Sequence, residues 1–362
     1  MPAVPAPAKV LVSGANGYIA VWVVRTLLER GYTVRGTVRS ESKTGYLKNL
    51  FKSEVESGKL ELVVVPDITK PGAFDEAVKD VDAVEHTASP FHFKASDPND
   101  AVEHTASPFH FKANDPNELI EPAVKGTVGM LESALKFGGT RLKRVVVTSS
   151  CASVFDSNSR GLINESSWNE ASITLVKEKG SAAPNPEKYR ASKTLAEKGA
   201  REFVSKNASS LSWDLVTLCP PFVFGPNINE ISSAADLGTS QALFYEALLS
   251  KTKTPEDLKG VAGGWVDVRD VALGHARALE VPEAGGQRFI LSSGMFVWQD
   301  WFDAANKLGI PDIPKGTPGA GKDHQYIFRY DSSKAQNVLG IKFRDNLTTT
   351  KETVEDFKKR GW

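Results

Sequence analysis

Cysteine is scarce in this chain, with Cys151 and Cys219 the only two in 362 residues. That excludes a disulfide framework and leaves two buried, inert thiols in a cytoplasmic protein as the expectation. No sign of charge is in excess, since 44 basic residues balance 44 acidic ones. Nothing therefore recommends a nucleic-acid or membrane-surface partner. No apolar run nears the roughly 20 residues of a membrane span. Residues 1–8 lack both the charged-then-apolar signal pattern and the Arg-rich transit pattern, and are expected as a disordered lead-in. What remains, 41% apolar and 24% charged, is the composition of a globular protein.

The first element present is a short apolar strand, Lys9-Val10-Leu11-Val12-Ser13, followed by Gly14-Ala15-Asn16-Gly17-Tyr18-Ile19-Ala20 and an apolar helix over 21–30. Strand, glycine-rich turn and helix form the context of a dinucleotide fingerprint. Gly14 allows the tight turn, Gly17 lets the backbone approach a pyrophosphate, and Ala20 permits close packing. The free N–H groups and partial positive charge of the helix start suit phosphate. A second strand over 32–38 ends in Arg39-Ser40-Glu41-Ser42-Lys43 rather than in the acid that holds a ribose 2′-hydroxyl. Two cations there suit a 2′-phosphate.

A third strand is expected over 60–66, with Asp67 and Ile68 at its end, then a short helix and turn over 75–81 and a fourth strand over 81–86. Residues 82–99 return as 100–117, offset by eighteen, with Ser96 replaced by Asn114. Two copies do not make a solenoid, so this is a local tandem duplication. The first copy is assigned to the fourth strand, because Val81 extends it backwards whereas Pro98 breaks the second. The repeat holds His86, His92, His104 and His110, four of the six histidines. Duplication accounts for that number, and no Cys or carboxylate cluster completes a ligand set, so no metal is expected.

An amphipathic helix follows over 118–137, and a fifth strand over 144–150 runs into Thr148-Ser149-Ser150. A sixth strand over 213–218 leads into a proline-rich corner from Pro220 to Pro226. Residues 264–271 are expected to start a helix, and 287–291 a further strand. Between them lies Lys188-Tyr189-Arg190-Ala191-Ser192-Lys193, where a phenol and an ammonium stand four apart on one helix face. Such a pair is an acid–base device, because a nearby cation favours the phenolate. Tyr330 and Lys334 repeat the spacing, but Asp331 or Ser332 reads as a helix cap that separates them.

Taken in order, these motifs resemble the extended short-chain dehydrogenase/reductases. The likeness is strongest to the dihydroflavonol reductase-like branch with its fungal aldehyde and ketone reductases of methylglyoxal type. The residues that carry it are the glycine turn, 34–39, His86-Thr87-Ala88-Ser89-Pro90, Thr148 to Ser150, Tyr189 to Lys193, Pro220 to Pro226 and 265–270. The resemblance implies an α/β fold, a Rossmann-type doubly wound parallel sheet with a smaller C-terminal substrate lobe. The NADP-binding domain would span 9–225 plus about 266–291, and the lobe about 226–265 and 292–362. It implies NADPH-dependent reduction of an aldehyde or ketone, by a monomer or homodimer. Ser150 would polarise the carbonyl, Tyr189 donate the proton, and Lys193 hold the ribose and lower the Tyr pKa. NADPH or NADP+ would meet Gly14, Asn16, Gly17, Tyr18, Ile19, Arg39, Lys43, Asp67 and Ile68. Further contacts would come from Thr87, Ala88, Ser89, Thr148, Pro220, Phe222 and Val223, and substrate contacts from Phe91, Phe155 and Phe224. Ala123 stands where many extended members carry Asn, a departure from their pattern. Two other readings stay open: an NAD-dependent sugar-nucleotide epimerase or dehydratase, and a non-catalytic NADPH-binding sensor.

Overall fold

Val10, Leu11 and Val12 are wholly buried, as a strand in the middle of a parallel sheet must be. In the computed structural model, which describes residues 3–89, 113–249, 258, 260–322 and 324–362, they lie in β1 (Lys9–Ser13). The other strands of this sheet are β2 (Thr33–Val38), β3 (Leu60–Val64), β4 (Ala83–His86), β5 (Arg144–Thr148), β6 (Asp214–Cys219) and β7 (Arg288–Ile290). They are all parallel, in the order β3-β2-β1-β4-β5-β6-β7. This is the doubly wound arrangement, and chain order reverses between β1 and β4.

Alternate residues of β1 face opposite layers. Val10 and Val12 join the core under α1 (Tyr18–Glu29) and a C-terminal helix, Val268–Glu280. Leu11 joins the core under two other helices, Asn117–Phe137 and Asn185–Lys206, which pack on each other across the opposite face. In chain order these helices are α2 (Asn117–Phe137), α3 (Asn185–Lys206) and α4 (Val268–Glu280).

A three-stranded sheet, Gly294–Val297, Val261–Asp267 and Phe222–Phe224, leaves the carboxyl end of the main sheet. Its core is aromatic, with Phe224 and Trp301 in contact with each other and each with Phe244 and Phe296. Gly161–Ile163 and Phe328–Tyr330 form a separate parallel ribbon.

Two expected elements take other forms. Residues 264–267 end a strand rather than begin a helix, and α4 starts only at Val268, where the Asp267 side chain accepts from the Arg269 N–H at 2.9 Å. The cap sets that boundary. Residues 75–80 form turns instead of a helix, and Asp80 takes a left-handed φ of 60° that no helix continues. The fourth strand is drawn from the first copy of the repeat, and the end of the second copy leads into α2. His92, His104 and His110 lie outside the described residues.

Candidate active site

The site is built at the carboxyl ends of β1, β4 and β5, where ligands gather in open α/β sheets. Gly14 turns the chain there with φ +64°, and a Cβ on it would stand 3.1 Å from Ala88 Cβ. Only glycine combines that conformation with so close an approach to the end of β4. Ser13 fastens the same two strand ends. Its Oγ accepts from the N–H groups of Thr87 at 3.1 Å and Ala88 at 3.0 Å, so its own proton points at His86 Nδ1, 3.0 Å away. His86 is therefore neutral with its hydrogen on Nε2, and burial, helped by the Lys193 charge, pushes its pKa down to about 4.

Three consecutive hydroxyls close β5, and each meets a different partner. Thr148 Oγ1 lies 3.0 Å from His275 Nε2 on α4. Ser149 Oγ donates to Glu197 Oε2 on α3 at 2.6 Å. Ser150 Oγ caps the short turn Cys151–Ser153 by accepting from Ala152 N–H at 3.1 Å, and it hydrogen-bonds the Tyr189 side chain.

Tyr189 and Lys193 occupy the face of α3 that meets this strand end. Lys193 Nζ stands 5.7 Å from the Tyr189 ring centroid and donates to Ser89 Oγ at 2.9 Å. Burial pushes the Tyr189 phenol up to about 12, with the Ser150 hydrogen bond pulling the other way, and burial brings the Lys193 ammonium down to about 8. The lowering of the phenol expected from Lys193 is not among the causes of its shift; desolvation, which disfavours each charged form, dominates both groups.

One cavity of about 350 Å³ joins Ile19, at the start of α1, to these residues. Ile19, Thr87, Ser89 and Thr148 line it with Ser150, Tyr189 and Lys193, as do Pro220, Phe222 and Val223. Its far wall is aromatic, from Phe155, Phe328 and Tyr330, with the Phe155 and Phe328 rings 4.6 Å apart. Phe328 and Tyr330 were not expected there. Tyr330 belongs to the decoy spacing, and its ribbon partner lies far away in sequence. Lys334, on the next helix, turns away to Gln287 Oε1 at 2.7 Å.

Other expected residues fall elsewhere. Phe224 is core rather than substrate wall, 1% exposed and one row deeper than Phe222, whose ring stacks on it at 6.2 Å. The Tyr18 hydroxyl donates to Gly225 O at 2.9 Å and so ties α1 to the proline corner instead of facing the cavity. Asn16 Oδ1 is buried in the glycine turn with no hydrogen-bond partner among the described residues. Arg39 follows β2, and Lys43 ends a short turn with Nζ 3.9 Å from Glu230. Glu41, the acid nearby, is engaged by Lys48 and Thr44, each at 3.1 Å. Asp67 closes a turn by accepting from Thr69 N–H at 2.9 Å, and Ile68 packs at the edge of the core. Phe91 lies outside the described residues.

The profile of the GDP-mannose 4,6 dehydratase family matches residues 11–173. Over the whole chain, a ketoreductase of Aspergillus niger, azaE, is 35% identical, covering 96% of each protein. The NADPH-dependent methylglyoxal reductase GRE2 of Saccharomyces cerevisiae is 37% identical, again over 96% of each. Among solved structures, Gre2 of Candida albicans in complex with NADPH superposes with a TM-score of 0.82 at 33% identity, covering 98% of this chain and 100% of that one. With this fold, this order of motifs and these relatives, the chain belongs to the extended short-chain dehydrogenase/reductase family, beside its fungal methylglyoxal-type reductases.

Proposed function

We propose that the protein reduces an aldehyde or ketone to an alcohol with NADPH. The observation that carries this is the meeting of Ser150, Tyr189 and Lys193 on one cavity with Ile19, in the first turn of the helix that follows the glycine turn. NADPH supplies the hydride. The chain's own part is to bind, orient and protonate. Ser150 and Tyr189, already hydrogen-bonded to each other, both present hydroxyls to one carbonyl oxygen, and Tyr189 gives up its proton as that oxygen gains charge. A phenol held near 12 is fully protonated at neutral pH, the form a proton donor needs. Lys193 holds the cofactor ribose and favours the phenolate left behind.

The φ of Gly14 and the N–H groups at the start of α1 fit the pyrophosphate turn. Arg39 and Lys43 take the 2′-phosphate, while the nearby acid, Glu41, is engaged by Lys48 and Thr44. The lobe beyond Pro226 walls the substrate, and two free, buried thiols accord with a cytoplasmic setting.

NADPH consumption against methylglyoxal, aromatic aldehydes, β-keto esters and a dihydroflavonol tests the reading. Turnover should prefer NADPH over NADH and fall on the order of 10²- to 10⁴-fold in Tyr189→Phe, with NADPH still bound. Arg39→Ala should weaken NADPH about tenfold or more and leave NADH unchanged. NADPH binding without turnover of any carbonyl would return the sensor reading.

A further inference from the structure

Glu197 lies eight residues beyond Tyr189 and four beyond Lys193 on α3, and is only 2% exposed. Burial pushes its carboxyl up, but Arg288, Ser149, Arg201 and Ser153 outweigh that and hold it below the usual carboxylate range, so it is ionised. Its Oε2 lies 2.6 Å from Ser149 Oγ and 2.7 Å from Ser153 Oγ, and its Oε1 accepts from Thr217 Oγ1 at 2.9 Å. Arg288 of β7 lies against it with Nε 2.7 Å from Oε1, off-axis for a hydrogen bond, while Nη2 donates to Oε2 at 3.1 Å. The same guanidinium binds Ser153 Oγ at 2.9 Å and Ser167 O at 2.5 Å, and stacks on Trp168 at 3.9 Å.

The two serines on Oε2 flank Ser150. Ser149 precedes it, and Ser153 ends the single turn that Ser150 caps, with Ser153 Oγ also 2.7 Å from Ser150 O. One carboxylate therefore grips the chain on both sides of the hydroxyl that faces the cavity. A buried ion pair is a poor device for stability alone, since an apolar replacement often serves as well. Its use here is geometric.

We propose that Glu197, braced by Arg288, is the positioning residue for Ser150: it sets the turn 150–153 so that the Ser150 hydroxyl shares one oxygen position with Tyr189. This rests on the reading of Ser150 and Tyr189 given above. The test uses the full-length protein with saturating NADPH and a carbonyl it reduces. It compares wild type, Glu197→Gln, Ser150→Ala and the double variant for kcat, NADPH Kd and melting temperature. Glu197→Gln should lower kcat by about tenfold to a hundredfold, the scale of a small misplacement, with Kd shifted less than about twofold. In the Ser150→Ala background the same change should cost little more, because the group it positions is gone.

An equal loss of kcat in both backgrounds, or a lower melting temperature with wild-type kcat, overturns the proposal. Should Glu197→Gln fail to fold, Ser153→Ala keeps the ion pair and must show the same kcat-specific loss, absorbed by Ser150→Ala; wild-type kcat there overturns it too. Full activity in Ser150→Ala and Tyr189→Phe would instead sink the underlying reading and the proposal with it.

Discussion

Glu85 Oε2 lies 2.5 Å from His275 Nδ1, with both side chains wholly buried between β4 and α4, and His275 Nε2 reaches on to Thr148 Oγ1. Burial raises the Glu85 carboxyl and His275 opposes the shift. Removing one partner strands the other in the core. Glu85→Ala should lose about 3 kcal/mol of stability in urea unfolding. Glu85→Leu with His275→Leu should lose less than the two single changes summed.

His86 should make the fold acid-sensitive. Its pKa is about 4 when folded and near 6.5 when unfolded, so between these values only the unfolded chain takes up the proton. Stability falls as pH drops through this window, by about 3 kcal/mol at full effect, and levels off below it. Urea midpoints at pH 7 and pH 4.5 check this. His86→Gln should show the smaller difference between them, whatever its absolute stability.

Lys193 should cost stability that the site uses for function. Its folded pKa of about 8 lies below the ordinary lysine value of 10.5, so the penalty is fully present below pH 8 and fades as pH rises between the two. Since Lys193 is only half-buried, solvent screens part of it. Lys193→Met should be more stable at pH 7, on the order of 1 kcal/mol, while losing turnover, and its advantage should shrink at pH 9.5. A variant less stable at pH 7 would refute this.

Deletion of residues 100–117 should leave a folded, NADPH-binding protein. At the end of the second copy Lys188 Nζ donates to backbone, to Ala113 O at 2.8 Å and Asn114 O at 3.0 Å, and Ala113 packs with Leu119 and Tyr189. After the deletion Ala95 and Ser96 precede the helix in the same way, with Ser96 for Asn114 as the only difference. Loop closure changes slowly with length, by about 0.6 kcal/mol per doubling. Loss of soluble expression would show that the second copy is required.

The sheet could be read from the sequence wherever a buried parallel strand is a plain apolar run, as at Val10–Val12 and Val145–Val147. Tyr189 and Lys193 were legible because their spacing puts them on one helix face. Glu197 was not, since among Glu187, Arg190, Lys198 and Arg201 it looks like one more charge on a solvated surface. Glu85 and His275 pair across 190 positions, which no local pattern encodes. Phe222 and Phe224 share a strand face, and only the depth of the aromatic cluster beneath decides which one reaches the cavity.

On α3, Tyr189, Lys193, Glu197 and Arg201 follow one another at every fourth position. Each makes its contact with a different part of the site or its support: Ser150, Ser89, the Ser149–Ser153 pair, and Thr217. The helix therefore works as a keyed shaft, read by phase as much as by residue identity. A single residue inserted between any two of these teeth would turn the remainder by about 100°. Swapping one tooth loses one contact, whereas a slip of phase unkeys several at once. That makes α3 a stretch poorly able to absorb a change of length.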